Sequence, residues 1–324
     1  MNTACDIRRA LAAGVACMLA MPAYGQNWPQ RPVRLVVPYT PGGGADIVAR
    51  VLGQRLADQT GGSFVIDNRP GAGGINAAEL VAHAMPDGHT LLASATEFGT
   101  NAALRTRMPF DPFKDFAHIS LLGYVQFLLA GNPAVPVRNI KELIALAKTR
   151  PGELTYGSTS LGGGPHLAGE LIQSMGGIRW VHVPFKGAGP ASVALISGEI
   201  SFMFSSTGSL VGHVQAGKVR AIAVTGTRRF PELPEVPTVA ESGIPGYSAT
   251  GWYGLFAPAG TPRELVRRIS TEAARAYTNP QAKERLAQIG MDPVGSTPEE
   301  FVSFLRTEIA KWSKVVKEAN IRIE

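Results

Sequence analysis

Glycine-rich loops contain the residues of this sequence that are best suited to bind a ligand. Gly42, Gly43 and Gly44 form a triplet between an apolar run and an amphipathic segment, and a second triplet occupies residues 162–164. The first N–H groups of a helix have no partner within that helix, and the helix dipole is positive there. Glycine also allows close approach to the backbone and positive φ. The pattern predicts noncovalent binding of an anion by backbone groups.

Each triplet is followed by a Gly-Ala-Gly sequence, which begins at Gly71 in the first half of the chain and at Gly187 in the second. The shared order predicts two similar halves whose loops converge on one cleft. Each charge-assisted bond from such loops to a carboxylate would contribute roughly 1.5–3 kcal/mol. For any single loop, the alternative is that its glycines serve only the entry into a helix.

Motifs for nucleotides, metals and catalysis are absent from the sequence. Asn76 stands where a dinucleotide fingerprint needs its third glycine, and the first triplet lacks the Lys-Ser/Thr ending of a P-loop. The six histidines include no pair four residues apart, and no G-x-S-x-G sequence surrounds Ser158 or Ser160. We therefore expect no catalytic residue, no metal and no cofactor.

Three polar residues beside the loops each have two interpretations. His166 lies where a loop meets a helix, and it would either line the cleft or cap and pack against that helix. Lys186 would either meet a ligand carboxylate or remain solvated. Asp46 is expected to cap its own helix rather than to act as a base.

The loops are positioned by an alternation of apolar runs and helical patterns, which predicts an α/β fold with mostly parallel strands. The predicted strands are 33–39, 63–68, 89–95, 153–158, 179–185 and 200–206. The predicted helices are 46–59, 75–84, 166–175 and 191–198.

Two segments, 127–150 and 254–276, each have the pattern of a strand, a Pro/Gly loop and a long helix. We interpret them as two crossings between lobes, which form a hinge. Lobe 1 is then 26–130 plus 251–324, and lobe 2 is 131–250.

The C-terminal segment 297–321 begins with a capping box formed by Thr297 and Glu300. Its apolar stripe is expected to pack against lobe 1. A role at a membrane surface or with a partner protein is the alternative.

The first 25 residues have the features of a secretory signal. Arg8 and Arg9 precede an apolar run (10–21) that is too short to span a bilayer, and small residues follow. Both cysteines of the chain lie in this leader, so the mature protein of 299 residues would have no disulfide. An N-terminal anchor is the alternative to an exported, soluble protein.

The formal net charge is +6, and its basic residues are scattered rather than clustered. Nucleic-acid-binding proteins usually concentrate such residues on one face. We therefore expect no nucleic-acid partner.

The motifs "PYTPGGGADIVAR", "NRPGAGG", "YGSTSLGGGPHLAGE" and "VPFKGAGP" resemble the Bug family, the solute-binding receptors of tripartite tricarboxylate transporters. The resemblance covers the chain from Trp28 to about Ile321. It implies a type II periplasmic-binding-protein fold with two Rossmann-like lobes joined by two hinge crossings. It also implies a non-enzymatic periplasmic receptor, which we expect to be a monomer.

The ligand implied by the resemblance is a small di- or tricarboxylate or an aromatic acid, delivered to membrane transporter subunits or to a sensor. A secreted hydrolase or isomerase acting on a carboxylate is one alternative. A chaperone-like role that uses the cleft for peptide ends is another.

Together, the loops and the resemblance predict one set of ligand-binding residues. They are Tyr39, Thr40, Gly42, Gly43, Gly44, Ala72, Gly73, Thr96, Ser158, Thr159, Ser160, Gly163, His166, Phe185, Lys186, Phe204 and Ser205.

Several positions depart from the pattern of the Bug family. Gly44 and Gly163 stand where members often have Ser or Thr, and Ser160 stands where they often have Gly. Ser205 replaces an aspartate that would suit an ammonium group, which argues against an amino-acid ligand.

Overall fold

The computed structural model describes residues 28–105 and 107–318, so the predicted leader lies outside the described residues. The strands are β1 (Val33–Val37), β2 (Phe64–Asn68), β3 (Thr90–Ala95), β4 (Phe116–Gly131), β5 (Thr155–Ser158), β6 (Val181–Pro184), β7 (Phe202–Ser206), β8 (Arg220–Val224), β9 (Thr250–Pro258) and β10 (Met291–Pro293). The helices are α1 (Gly44–Thr60), α2 (Ile75–Ala82), α3 (Glu97–Leu104), α4 (Ile140–Thr149), α5 (Gly164–Gly176), α6 (Ala188–Ser197), α7 (Thr207–Gln215), α8 (Val239–Ser242), α9 (Arg263–Ala276), α10 (Pro280–Ala287) and α11 (Pro298–Glu318).

The strands form two sets, each built around three parallel strands. In lobe 1 the order is β2-β1-β3, followed by antiparallel β9 and β4. In lobe 2 the order is β6-β5-β7, and both β7 and β8 pair antiparallel with β4. The expectation of mostly parallel strands therefore holds for the strands that precede the glycine loops, whereas every pairing that involves β4 or β9, including those of β4 with β8 and β10, is antiparallel.

Strand β4 connects the two sets because it changes partner along its length. Its residues up to Gln126 pair with β9, and those from Phe127 onward pair with β7 and β8. The return to lobe 1 coincides with the start of β9 at Thr250. We propose that these two points are the hinge crossings.

The first part of β4, Phe116–Gln126, was not predicted as a strand. Most of its residues are buried, so the alternation of apolar and polar residues that marks a half-exposed strand is missing.

The C-terminal helix packs as predicted. The Glu300 amide donates to Thr297 Oγ1 at 3.3 Å, and the Thr297 amide donates to the Glu300 carboxylate at 2.9 Å, which completes the capping box. Phe301 and Leu305 are fully buried beside Trp252 in lobe 1. Within the described residues, no helix has the length and apolarity needed to cross a membrane.

Candidate functional site

The two glycine triplets adopt the same conformation. Gly42 and Gly162 have φ of 84° and 75°, while Gly43 and Gly163 are extended at φ/ψ of −76°/166° and −77°/169°. In both loops the N–H of the first glycine donates to the side chain four residues later, at 2.9 Å to Asp46 Oδ2 and 3.0 Å to His166 Nδ1. The same loop conformation thus occurs twice, and a different side chain accepts the hydrogen bond of the first glycine in each loop.

Asp46 holds the first loop in place rather than capping the helix at its N-terminal residue. Besides Gly42, its carboxylate accepts hydrogen bonds from Arg50 at 2.9 Å and Asn68 at 3.0 Å. Burial opposes ionisation of Asp46, but these three bonds outweigh it and lower the pKa of the carboxyl group. Asp46 is therefore a structural anion whose charge is compensated by Arg50.

The helix starts behind these loops have free backbone donors. The N–H groups of Gly43, Gly44 and Ala45, and those of Gly163 and Gly164, have no hydrogen-bond partner among the described residues. They lie at the positive ends of α1 and α5. An anion between the loops could accept bonds from both lobes.

Glu97 lies between the two loops, at the first position of α3. Its Oε2 accepts a hydrogen bond from the Tyr39 hydroxyl at 2.7 Å, and its Oε1 accepts one from Ser160 Oγ at 3.1 Å. A Cβ on Gly163 would collide with Ser160 Oγ and would lie 2.6 Å from Glu97 Oε1, so a side chain here would have to displace this hydrogen-bonded pair. Burial and the charge of Glu97 raise the pKa of Tyr39 well above its usual value.

Glu97 was missed in the sequence, although its neighbour Thr96 was included in the predicted set. The signal was an acidic residue immediately after the carboxyl end of β3, which is where ligands of parallel sheets bind. Thr100, one turn further along α3, donates to the Gly162 carbonyl at 2.9 Å. The first turns of α3 therefore make two direct hydrogen bonds from lobe 1 to lobe 2.

The third loop, 70–74, has an unusual backbone. Four consecutive residues have positive φ: Gly71 (136°), Ala72 (48°), Gly73 (63°) and Gly74 (90°). The left-handed region is unfavourable for a residue with a Cβ such as Ala72. The Asn101 amide donates to the Gly73 carbonyl at 2.9 Å and fixes the loop. Ala72 and Gly73 are exposed, so strain is held here in a loop that reaches solvent.

Behind the second triplet lie two stacked histidines. The rings of His166 and His182 are 3.8 Å apart, and burial lowers the pKa of His166 to about 4. Burial, together with the charge of His166, lowers the pKa of His182 to about 3. His166 Nδ1 accepts a bond from Gly162, so its proton is on Nε2. Both side chains are neutral at pH 7, and they support the loop from inside lobe 2.

Ser158 and His182 are 2.7 Å apart, which is the spacing of a nucleophile and its base. However, the Ser158 hydroxyl donates its proton to the Ser160 carbonyl at 2.8 Å, so His182 must act as the donor to Ser158. Ser158 is also completely buried. Ser158 thus has neither a base that could remove its proton nor access for a substrate, and this arrangement does not favour the hydrolase alternative.

The remaining predicted residues fall into two groups. Those that are exposed or half-buried at the loops are Thr40, Thr159, Phe185 and Lys186. Those with buried side chains are Thr96, Phe204 and Ser205. Thr96 Oγ1 accepts the Trp252 amide at 3.0 Å, and Ser205 Oγ bonds to Ser209 Oγ at 2.6 Å.

The Phe204 side chain lies inside lobe 2. Its ring is fully buried and packs edge-on against Tyr156 at 5.7 Å and Trp180 at 5.9 Å. Successive side chains of a strand point to opposite faces, and the family pattern did not indicate which face of β7 is the core. The role of Phe204 in ligand binding stays a prediction.

A cavity of about 140 Å³ lies elsewhere, between the segments 228–232 and 287–292. Gln126 lines it, and an ion pair joins Arg228 to Asp292 across the two segments. It shares no residue with the predicted ligand-binding set. In the described part of the chain, no group of three or more His, Cys, Asp or Glu residues is placed to hold a metal ion.

Comparison with known proteins agrees with the fold. The family model described as "Tripartite tricarboxylate transporter family receptor" matches residues 48–321. Protein BugT of Bordetella pertussis is 33% identical over 308 residues, which are 94% of this chain and 94% of BugT. The structure of R. palustris Rpa4515 with adipate is 38% identical with a TM-score of 0.85, covering 91% of this chain and 99% of that chain. MatC from Rhodopseudomonas palustris with bound malate is 33% identical with a TM-score of 0.81, and the match covers 89% of this chain and 100% of that chain.

Proposed function

Because the chain belongs to the tripartite tricarboxylate transporter receptor family, we propose that it captures one small organic carboxylate between its two lobes. Capture would take place in the periplasm, and the ligand would be delivered to a membrane transporter or a sensor. The predicted family and the predicted two-lobed α/β fold are confirmed. Receptors of this family are periplasmic and bind small carboxylates. Periplasmic location, carboxylate capture and delivery by this chain are our proposal.

One observation carries the proposal. Unpaired N–H groups at the starts of α1 and α5 lie in two loops of identical backbone conformation, one from each lobe. Two sets of donors on separate lobes suit an anion that is bound by closure of the lobes. The solved relatives that contain adipate and malate support a carboxylate as that anion.

A screen of mono-, di-, tri- and aromatic carboxylates by thermal shift and calorimetry tests the proposal. We expect saturation at one ligand per chain, recovery of the ligand unchanged, and a smaller radius of gyration by small-angle scattering. Chemical conversion of the ligand would instead support the hydrolase or isomerase alternative. Binding of peptides but of no carboxylate would support the chaperone-like role.

Side chains at the edge of the loops should matter less than the backbone. Thr40 is exposed and its hydroxyl forms no hydrogen bond in the described part of the structure, so Thr40→Ala should weaken binding by at most about one neutral hydrogen bond, ~0.5–1.5 kcal/mol. Lys186 is likewise exposed and has no ion pair among the described residues. Lys186→Ala should therefore weaken binding less than tenfold, with a limited dependence on salt. Calorimetry at two salt concentrations measures both, and loss of binding in Lys186→Ala would indicate a salt-bridge site instead.

A further inference from the structure

We propose that Glu97 determines which carboxylates bind, by requiring a hydrogen-bond donor on the ligand and by disfavouring a second ligand carboxylate beside it. The inference rests on the proposed function and names its ligand class: carboxylates that also carry a hydroxyl or an ammonium group.

The position of Glu97 supports this role. Its carboxylate is in direct contact with residues of both glycine loops, through Tyr39 on the lobe 1 side and Ser160 on the lobe 2 side. The absence of a side chain on Gly163 leaves the space that Oε1 occupies. An anion held by the free N–H groups of these loops would therefore have Glu97 as a near neighbour.

The chemistry of the carboxylate defines what it can accept. An ionised carboxylate has about four acceptor sites on its two oxygens, and Tyr39 and Ser160 donate to one site each. Among the described residues Glu97 has no Lys, Arg or His partner, unlike Asp46 and Asp67, which pair with arginines. Two acceptor sites and one uncompensated negative charge thus remain for the ligand.

A ligand hydroxyl or ammonium would use those sites, and an ammonium would also compensate the charge. A second carboxylate at the same place would meet the like charge of the half-buried Glu97, which is repulsive. Glu97 therefore supplies the negative group that Ser205 does not. The sequence argument against amino acids relied on Ser205 alone, so amino acids belong among the ligands to be tested.

A simpler role for Glu97 is to stabilise its helix, since acidic residues in a first turn interact favourably with the helix dipole. Glu264 has that same placement in α9, where it is exposed and has Arg267 as a neighbour at 3.9 Å. The dipole role needs neither Tyr39 nor Ser160. Glu264→Gln is thus a matched control for Glu97→Gln.

The experiment measures selectivity by calorimetry in the native protein, Glu97→Gln and Glu264→Gln. The probes are succinate, malate and aspartate, which share one skeleton and differ only in hydrogen, hydroxyl or ammonium, with the corresponding five-carbon, six-carbon and benzoate series. In the skeleton that binds best, the native protein should prefer the hydroxyl or amino acid over the unsubstituted acid by at least about tenfold. Glu97→Gln should reduce that preference about tenfold or more, by strengthening the unsubstituted acid and weakening the amino acid.

The outcomes separate this inference from the proposed function. If carboxylates bind but the native protein favours the unsubstituted acid, or Glu97→Gln weakens all members of a series equally, the role of Glu97 is refuted while carboxylate binding stands. An equal change of selectivity in Glu264→Gln would also refute it. If no carboxylate of any series binds the native protein, the proposed function fails and this inference fails with it.

Discussion

Replacing Gly43 with valine should abolish ligand binding while the protein keeps nearly all of its stability. Gly43 has φ of −76° and ψ of 166°, an extended conformation that valine adopts readily. A Cβ at this position would have only the Thr40 carbonyl oxygen nearby, at an ordinary contact distance of 3.6 Å. The fold thus accepts the side chain, apart from a loss of about 1 kcal/mol for a poorer helix N-cap.

Binding should respond very differently from stability. The valine methyl groups would stand at the start of α1, where the N–H groups of Gly43, Gly44 and Ala45 are unpaired. Loss of two charge-assisted bonds at roughly 1.5 kcal/mol each would weaken binding more than about a hundredfold. Calorimetry with the best carboxylate of the screen, together with the thermal midpoint of each variant, measures both effects.

Neighbouring glycines provide the controls for this prediction. A Cβ on Gly44 would collide with the Tyr253 hydroxyl, so Gly44→Ala should lower stability as well as binding. Gly43→Ala, with a single methyl group, should give an intermediate loss of affinity at native stability. If Gly43→Val binds the carboxylate with the affinity of the native protein, the ligand does not occupy the space in front of the first triplet.

The positive φ expected from the triplet is located at Gly42, not at Gly43. The sequence indicates that such a loop needs glycine, but three adjacent glycines do not show which of them has the left-handed conformation. In the folded chain Gly42 has the left-handed conformation, and its N–H donates a hydrogen bond to Asp46. The expected effect at Gly43 therefore rests on occupied space and not on backbone strain.

The parallel strands and their glycine loops were predictable because their signals are local. An apolar run, a glycine loop and a helical period lie within about 30 residues in each unit, as is usual for this kind of fold. The helix predicted at 46–59 is Gly44–Thr60, and the strand predicted at 63–68 is Phe64–Asn68. These elements needed no information from distant parts of the chain.

Features that depend on distant residues were not predictable. Glu97 accepts a hydrogen bond from Ser160, which is 63 residues away in the sequence. The Thr96 hydroxyl accepts one from the Trp252 amide, which is 156 residues away. Strand β4 pairs with β7, β8, β9 and β10, all of them later in the chain. Which face of a strand is buried also depends on long-range packing, as the contacts of the Phe204 ring with Tyr156 and Trp180 show.

Acidification from about pH 6.5 to pH 4 should lower the free energy of unfolding by several kcal/mol, because of the buried His118 and His166 and the half-buried His182. Burial lowers the pKa of His118 to about 4 and that of His166 to about 4. Burial, with the charge of His166, lowers the pKa of His182 to about 3. The unpartnered Nε2 of His118 lies among the rings of Phe113, Phe256 and Phe301.

The direction follows from proton uptake. In the unfolded chain a histidine takes up its proton near pH 6.5, whereas each of these three remains neutral in the folded protein until about pH 4 or below. Between those limits the unfolded state binds more protons, so stability falls as the pH falls. One histidine shifted from 6.5 to about 4 accounts for roughly 3 kcal/mol, since each pKa unit corresponds to about 1.4 kcal/mol.

The aspartates with lowered pKa values act in a different pH range. Hydrogen bonds and neighbouring arginines outweigh burial and hold the pKa values of Asp46, Asp67 and Asp87 below 3.8. Their contribution to stability is present above that pH and is lost only below it. Burial raises the pKa of Glu170, which lies 3.7 Å from His166, so its proton uptake in the folded protein opposes part of the histidine effect between pH 6.5 and pH 4. The three histidines outnumber this one carboxylate and set the sign of the change.

Denaturant unfolding at intervals from pH 7.5 to pH 3.5 measures this profile. His118→Phe replaces the imidazole ring in an aromatic cluster with an apolar ring. The slope of the free energy of unfolding against pH, between pH 6.5 and pH 4, should then fall by the equivalent of up to about one proton. The remaining slope should come from His166 and His182, which support the second glycine loop. His83 is exposed, so His83→Phe should leave the slope unchanged. If the stability of the native protein is constant down to pH 4 and falls only below pH 4, acid unfolding is caused by the carboxylates. The two stacked histidines would then have to take up protons in the folded state.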